Sequence, residues 1–166
     1  MNKILVPVDF STSSAAALRF ATYLSSVTNL QLVVIHVFDS LIGSNRPETP
    51  TERAAVRAAL REELERFTTR HAARYLATRP VEMRLAEGVP PVYIKWRSQD
   101  ADVAFIVMGG IGTGIGGQLD LFGGIAQQVS QGGGCPVIII PDDFSDDMMR
   151  NTAGLLRGVG QEHAPA

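Results

Sequence analysis

Five short apolar runs alternate with longer segments in which apolar residues recur at helical spacing. The runs lie at residues 3–8, 30–38, 81–86, 102–108 and 136–140. Continuous apolar runs of this length are typical of strands buried on both faces of a parallel sheet. The third run alternates apolar and polar residues instead, which predicts a partly exposed strand near a sheet edge.

Four helices are predicted between these strands. They lie at about residues 11–27, 51–78, 91–99 and 123–131. Ser11 to Ser14 offer N-cap side chains to the first of them. One face of the second helix is expected to carry its apolar contacts, at Leu60, Leu64, Phe67, His71 and Tyr75. The order βαβαβαβαβ predicts an α/β fold, an open parallel sheet with right-handed crossovers and helices on both faces.

Composition agrees with one globular domain. The chain has 166 residues, 45% hydrophobic and 19% charged, with a formal net charge of −2. This charge gives no electrostatic case for binding nucleic acid or an acidic membrane surface. No run approaches the ~18 apolar residues of a membrane helix, and Asp9 comes too early for a signal peptide. The single cysteine, Cys135, cannot form an internal disulfide. We therefore expect a soluble cytoplasmic protein.

Glycine is concentrated in one part of the chain. Eleven of the 16 glycines lie between Gly109 and Gly134, directly after the fourth predicted strand. Glycines let the backbone approach a phosphate closely, whereas the alternative is a flexible connector without a ligand. The spacing Gly112-x-Gly114-x-x-Gly117 also fits a dinucleotide fingerprint. That motif should open a nucleotide-binding fold, so an NAD- or FAD-binding oxidoreductase is only a remote alternative.

Ligands of open parallel sheets bind beyond the carboxyl ends of the strands, where the strand order reverses. Asp9 follows the first strand and has two interpretations. Its carboxylate is able to hydrogen-bond a ribose or a purine edge, or it orders the turn with Ser11 and caps the next helix. His36 has no neighbouring residues at metal-ligand spacing, and no metal site is predicted. The chain has no Gly-x-Ser-x-Gly elbow, and we identify no catalytic residues.

Several motifs, in order, resemble the universal stress protein family. The opening segment Lys-Ile-Leu-Val-Pro-Val-Asp-Phe-Ser at residues 3–11 is similar to the family's first strand and acidic turn. His36-Val37 in the second strand, the Gly88-Val89-Pro90 turn, and residues 102–109 and 135–141 are similar to later family segments. The resemblance covers residues 1–141, which leaves residues 142–166 as an acidic C-terminal tail that could begin a helix at Ser145.

The resemblance implies an adenine nucleotide alpha-hydrolase-like fold with five parallel strands in the order 3-2-1-4-5. It also implies a homodimer formed through the last strand, residues 136–140. The implied function is a stress-response signalling module that binds ATP or AMP, with or without Mg. The implied nucleotide-binding residues are Pro7, Asp9, Val37, Met108, Gly109, Gly112, Gly123 and Gly124.

The sequence departs from the family's ATP-binding motif, Gly-x2-Gly-x9-Gly-(Ser/Thr). Gly109 and Gly112 match its first half, but Gly123 follows after ten residues, and Gly124 stands where a hydroxyl is expected. The segment 113–122 contains no Lys or Arg, and Asp120 adds a negative charge. The alternative is therefore the same fold without nucleotide, acting as a protein-interaction module. Any enzyme activity would be at most a slow ATPase.

Overall fold

A computed structural model describes residues 2–39, 49–110, 124–145, 147–149 and 151–152, and it contains all nine predicted elements. The strands are β1 (Lys3–Pro7), β2 (Gln31–Phe38), β3 (Glu82–Glu87), β4 (Val103–Gly109) and β5 (Val137–Ile140). The helices are α1 (Thr12–Thr28), α2 (Pro50–Leu76), α3 (Pro90–Arg97) and α4 (Gly124–Ser130). Each element lies within a few residues of its predicted position.

The five strands form one parallel sheet in the order β3-β2-β1-β4-β5, which confirms the predicted fold. β1 lies at the centre, paired with β2 on one side and β4 on the other. Its residues Ile4, Leu5 and Val6 are almost fully buried. This double-sided burial is the physical reason for a continuous apolar run.

The sheet separates two apolar clusters. Alternate residues of β1 and β2, such as Ile4 and Val34, pack under α1 and α2. The intervening residues, such as Leu5 and Ile35, pack with Ile94 of α3 and residues of α4. The helices therefore cover both faces, as the alternation of strands and helices predicted.

The structure refines the sequence-based description at Pro7 of β1 and on the buried face of α2. Pro7 is the last residue of β1, where its missing N–H interrupts the ladder least. In α2, the residues that become fully buried are Leu64, Thr68, Ala72 and Tyr75, so the contact face includes two small residues that the apolar pattern omitted. Ala72 has non-helical backbone angles, which mark a kink that rotates the face along this helix.

The tail begins against the first helical layer. The ring of Phe144 meets that of Phe20 on α1 edge to face, with 5.7 Å between centroids. Ser145 then caps a helical segment, because its Oγ accepts a hydrogen bond from the Met148 amide at 3.2 Å. Phe144 thus anchors the start of the tail on α1. In the described ranges, no helix is both long and apolar enough to cross a membrane.

Candidate functional site

The carboxyl ends of β2, β1 and β4 lie side by side in the sheet. Parallel pairing brings together the ends that carry Val37, then Pro7 and Asp9, then Met108 and Gly109. The chain leaves β1 toward β2, and β4 adds on the opposite side of β1, so strand order reverses here. This is the position at which open parallel sheets bind ligands. The fold therefore brings five of the eight predicted site residues to one edge.

The turn after β1 is held by hydrogen bonds between neighbouring side chains. Asp9 Oδ1 accepts from the backbone amide of Ser11 at 3.1 Å and from its hydroxyl at 2.5 Å. Ser11 Oγ in turn accepts from the Ser14 amide at 3.1 Å and caps α1. The structural interpretation of Asp9 is thus observed. These bonds use only one carboxylate oxygen of an exposed side chain, so they do not conflict with a second role in ligand binding.

Phe10 shapes the same turn. Its φ of +64° lies in the left-handed region that residues other than glycine seldom adopt. This conformation places its ring 4.3 Å from the ring of His36 and 5.5 Å from that of Phe67, centroid to centroid. His36 Nδ1 lies 2.8 Å from the Val8 carbonyl oxygen, which can only accept, so Nδ1 carries the proton. The aromatic contacts join the β1–α1 turn to β2 and α2.

Val37 and Met108 differ from the polar members of the site. Their side chains are 8% and 5% exposed and belong to the apolar cluster beneath α3 and α4. At Val37, only backbone groups are therefore available to a ligand. The Met108 side chain likewise offers no polar group to one.

Gly109 is packed against the first turn of α1. An alanine Cβ at this position would lie 2.1 Å from Ser13 Oγ and 2.7 Å from the Ser13 carbonyl carbon. Real Cβ atoms do not approach other atoms this closely, so β4 and α1 require a residue without a side chain here. The first glycine of the motif thus has a packing reason independent of any ligand.

Ser13 is a residue that the sequence analysis missed as a site candidate. Its side chain is 3% exposed, and its Oγ has no hydrogen-bond partner among the residues described. Buried hydroxyls are usually paired, because leaving one unpaired costs about 1–3 kcal/mol. The Ser11–Ser14 run predicted helix caps, and only the three-dimensional contact with Gly109 distinguishes Ser13 from its neighbours.

Of the remaining three glycines of the motif, only Gly124 is among the described residues. Gly124 is the exposed first residue of α4, and an added Cβ would meet nothing within 4 Å among the described residues. Gly112 and Gly123 lie outside those residues. The role of all three glycines in a site therefore stays a prediction.

His71 of α2 packs on Phe67, with ring centroids 4.7 Å apart, and its environment favours the neutral form. Burial lowers its pKa below the ordinary 6.5, and the positive charges of Arg19 and Arg70 lower it further. The unfolded chain consequently binds this proton more readily than the folded chain. The contribution of His71 to stability is complete above pH 6.5 and is lost as pH falls toward its folded pKa.

We expect the urea midpoint of unfolding to decrease between pH 7.5 and pH 5, and the decrease to be smaller in His71→Gln. Glutamine retains a polar side chain of similar length but does not titrate. Measuring both proteins across this range isolates the contribution of His71 to the pH dependence of stability, since the two proteins share all other titratable groups. Equal pH slopes in the two proteins would show that His71 does not contribute.

The described residues contain no group of three or more His, Cys, Asp or Glu side chains placed to hold a metal ion. Cys135 is half-buried before β5, and this burial raises the pKa of its thiol. A thiol with a raised pKa is a poor nucleophile at neutral pH. The site is therefore characterised by backbone groups, hydroxyls and one carboxylate.

Comparisons with known proteins agree with this arrangement. The sequence profile described as "Universal stress protein family" matches residues 1–141. The structure is similar to the universal stress protein UspA from Lactobacillus plantarum, with 24% identity over 84% of this chain and 97% of that one, and a TM-score of 0.59. No curated protein matches the chain significantly.

Two similar structures contain nucleotides. The universal stress protein from Archaeoglobus fulgidus in complex with dAMP has 23% identity over 84% of this chain and 98% of that one, with a TM-score of 0.60. A universal stress protein family member from Arabidopsis thaliana with AMP bound has 18% identity over 89% and 98% of the two chains, with a TM-score of 0.56. At these identities the similarity shows the fold. Because the profile match spans residues 1–141, this chain belongs to the universal stress protein family.

Proposed function

We propose that this protein is a nucleotide-binding signalling module that takes AMP or ATP at the carboxyl ends of β1 and β4. The observation that carries the proposal is the convergence of Pro7, Asp9, Val37, Met108 and Gly109 at one edge of the sheet. Two family members of the same fold are described as bound to dAMP and AMP. In the proposed complex, Asp9 and the Val37 backbone contact the adenosine.

The chemistry of the site fits a nucleotide held by neutral donors. No Lys or Arg occurs between Gly109 and Gly124. This segment therefore has no positively charged side chain to neutralise a phosphate group. Backbone amides and hydroxyl groups must then satisfy the phosphate oxygens. The unpaired, buried hydroxyl of Ser13 beside Gly109 is such a donor. The proposal concerns binding, with the nucleotide as the signal.

The alternative is the same fold with nucleotide binding lost, acting through protein contacts. A specific observation favours it: two of the predicted site residues have structural roles that need no ligand. Gly109 is required by its contact with Ser13, and Asp9 is engaged in ordering the α1 cap through Ser11. Their presence does not by itself require a ligand, and only a binding measurement separates the two functions.

Isothermal titration of the full chain with AMP and with ATP, each with and without Mg, tests the proposal. We expect saturable binding of at least one nucleotide, together with a higher unfolding temperature in its presence. Absence of both heat and thermal shift at millimolar nucleotide would contradict nucleotide binding and favour the interaction module.

Gly124→Ser should tighten nucleotide binding relative to Gly124→Ala. The part of the chain that the structure describes leaves room for either side chain, because none of its atoms lies within 4 Å of an added Cβ. The serine restores the hydroxyl that the family motif places here, and a hydrogen bond to a charged acceptor contributes about 1.5–3 kcal/mol, or roughly tenfold or more in Kd. Alanine controls for the loss of glycine's flexibility. Equal affinities in the two variants would show that this position does not face the nucleotide.

We also propose that the protein is a homodimer joined through β5. The two edges of the sheet differ in how they are protected. On β3, Glu82 and Arg84 form an ion pair, and Glu87 pairs with Arg57 at 3.1 Å. β5 consists of Val137 and three isoleucines without a charge. Charged residues discourage edge pairing, so β5 is the edge suited to another strand.

The cytoplasmic location expected from the sequence also stays a prediction.

A further inference from the structure

We propose that the Ser13 hydroxyl donates a hydrogen bond to a phosphate oxygen of the bound nucleotide. This inference rests on the nucleotide-binding function proposed above and assigns one of its contacts. Three observations carry it: the place of Ser13 in the fold, the state of its hydroxyl, and the donors that surround it.

Ser13 lies where α1 begins and β4 ends. Its Oγ occupies the space that a side chain at position 109 would fill, 2.1 Å from the ideal Cβ position. The hydroxyl is thus directed at the carboxyl end of β4, beside the Gly109–Gly110 peptide. The Gly110 amide is already bonded to the Ile140 carbonyl oxygen of β5 at 2.8 Å.

The hydroxyl is unpaired although it is buried. No partner for it exists among the residues that the structure describes, and the side chain is 3% exposed. Its neighbour Ser14 is equally buried, but its Oγ donates to the Ser11 carbonyl oxygen at 3.0 Å. Two serines therefore lie in the same turn, but only the Ser14 hydroxyl forms a hydrogen bond within the described structure. Binding that uncovers and pairs Ser13 Oγ removes the penalty of an unpaired hydroxyl.

The surrounding donors suit an anion. The first amides of a helix lack partners within it, and the helix dipole adds partial positive charge at this end. In α1, the Ser14 amide is taken by Ser11 Oγ and the Ala15 amide by the Ser11 carbonyl oxygen. The bonds of the described residues leave the amides of Thr12 and Ser13. Asp9 brings an opposing negative charge, and two hydrogen bonds from Ser11 hold its Oδ1 toward the α1 cap.

The test uses Ser13→Ala and a matched control, Thr68→Val, in the full chain. Thr68 Oγ1 on α2 is also buried and unpaired among the described residues, and it lies outside the site. Removing either hydroxyl should stabilise the free protein and raise the unfolding temperature by about 2–4 °C. Only Ser13→Ala should weaken AMP binding, by roughly tenfold, while adenosine binding stays unchanged in both variants.

In Ser13→Ala, a higher unfolding temperature together with weaker AMP binding would separate a role in binding from a role in packing. A Ser13→Ala protein that gains stability and retains the wild-type AMP affinity would overturn the inference while leaving the proposed function intact. Equal losses of AMP and adenosine affinity would overturn the assignment to phosphate. Wild-type protein that binds neither ligand would contradict the proposed function itself, and this inference with it.

Discussion

Replacing Gly109 with alanine is expected to lower the free energy of unfolding by about 3 kcal/mol, at the upper end of the usual cost of overpacking. The added methyl group would lie 2.1 Å from Ser13 Oγ and 2.7 Å from the Ser13 carbonyl carbon. The hydroxyl can rotate away, but the backbone of α1 cannot move without disturbing its contacts with β4. Urea denaturation of the purified variant measures the loss directly.

Gly124→Ala is the matched control, because the same methyl group meets no atom of the described residues within 4 Å there. It should leave stability unchanged or raise it slightly, since alanine favours a helix more than glycine does. Combining Gly109→Ala with Ser13→Ala should restore little, because the clash with the Ser13 backbone persists. A Gly109→Ala protein of wild-type stability would show that α1 shifts easily from the end of β4, and our account of this glycine would be wrong.

The outcome also affects how the motif is interpreted. If Gly109 is needed for packing, a glycine at the first motif position is compatible with loss of nucleotide binding. The diagnostic positions are then Gly124 and Ser13. Among the described residues, nothing lies within 4 Å of a Cβ added at Gly124, where the family motif has a hydroxyl and this chain has none. The Ser13 hydroxyl packs beside Gly109 but has no hydrogen-bond partner among these residues.

The fold could be predicted because each strand is buried in a way that leaves a local signal. β1 and β2 lie inside the sheet, and each contains a continuous apolar run, at residues 4–7 and 32–35, whereas the edge strand β3 alternates. Turns are marked by residues such as Gly88, whose φ of +150° is a backbone conformation that glycine adopts readily. Local patterns of this kind locate elements and, through their alternation, the parallel sheet.

The contacts that define the site have no comparable local signal. Ser13 and Gly109 are distant in the sequence, and neither residue alone indicates that one fills the space above the other. The predicted face of α2 missed Thr68 and Ala72 for a related reason, because small residues are buried where another helix approaches closely. Carrying over the family motif pointed to the carboxyl ends of β1 and β4, but it gave no indication of the unpaired Ser13 hydroxyl beside Gly109.

The second large effect concerns assembly: Ile139→Pro should convert the proposed homodimer to monomers at micromolar concentration. In a parallel sheet, alternate residues of an edge strand turn their amide and carbonyl groups toward the neighbouring strand. The Ile106 amide bonds the Pro136 carbonyl oxygen at 3.0 Å, and the Gly110 amide bonds that of Ile140 at 2.8 Å. Residues 136, 138 and 140 therefore face β4, and the amides of Val137 and Ile139 face outward.

Proline at position 139 removes one of these outward amides and leaves the bonds to β4 in place. In a two-fold dimer the same bond is lost twice, and each orphaned carbonyl group costs about 1–3 kcal/mol, which weakens association roughly 30-fold or more. The control is Ile139→Ala, which loses the same packing against the cluster under α3 and α4 but retains its amide. Sedimentation velocity should show monomers for proline and dimers for alanine. If wild type and both variants sediment alike, β5 is not the dimer interface, and the uncharged edge requires another explanation.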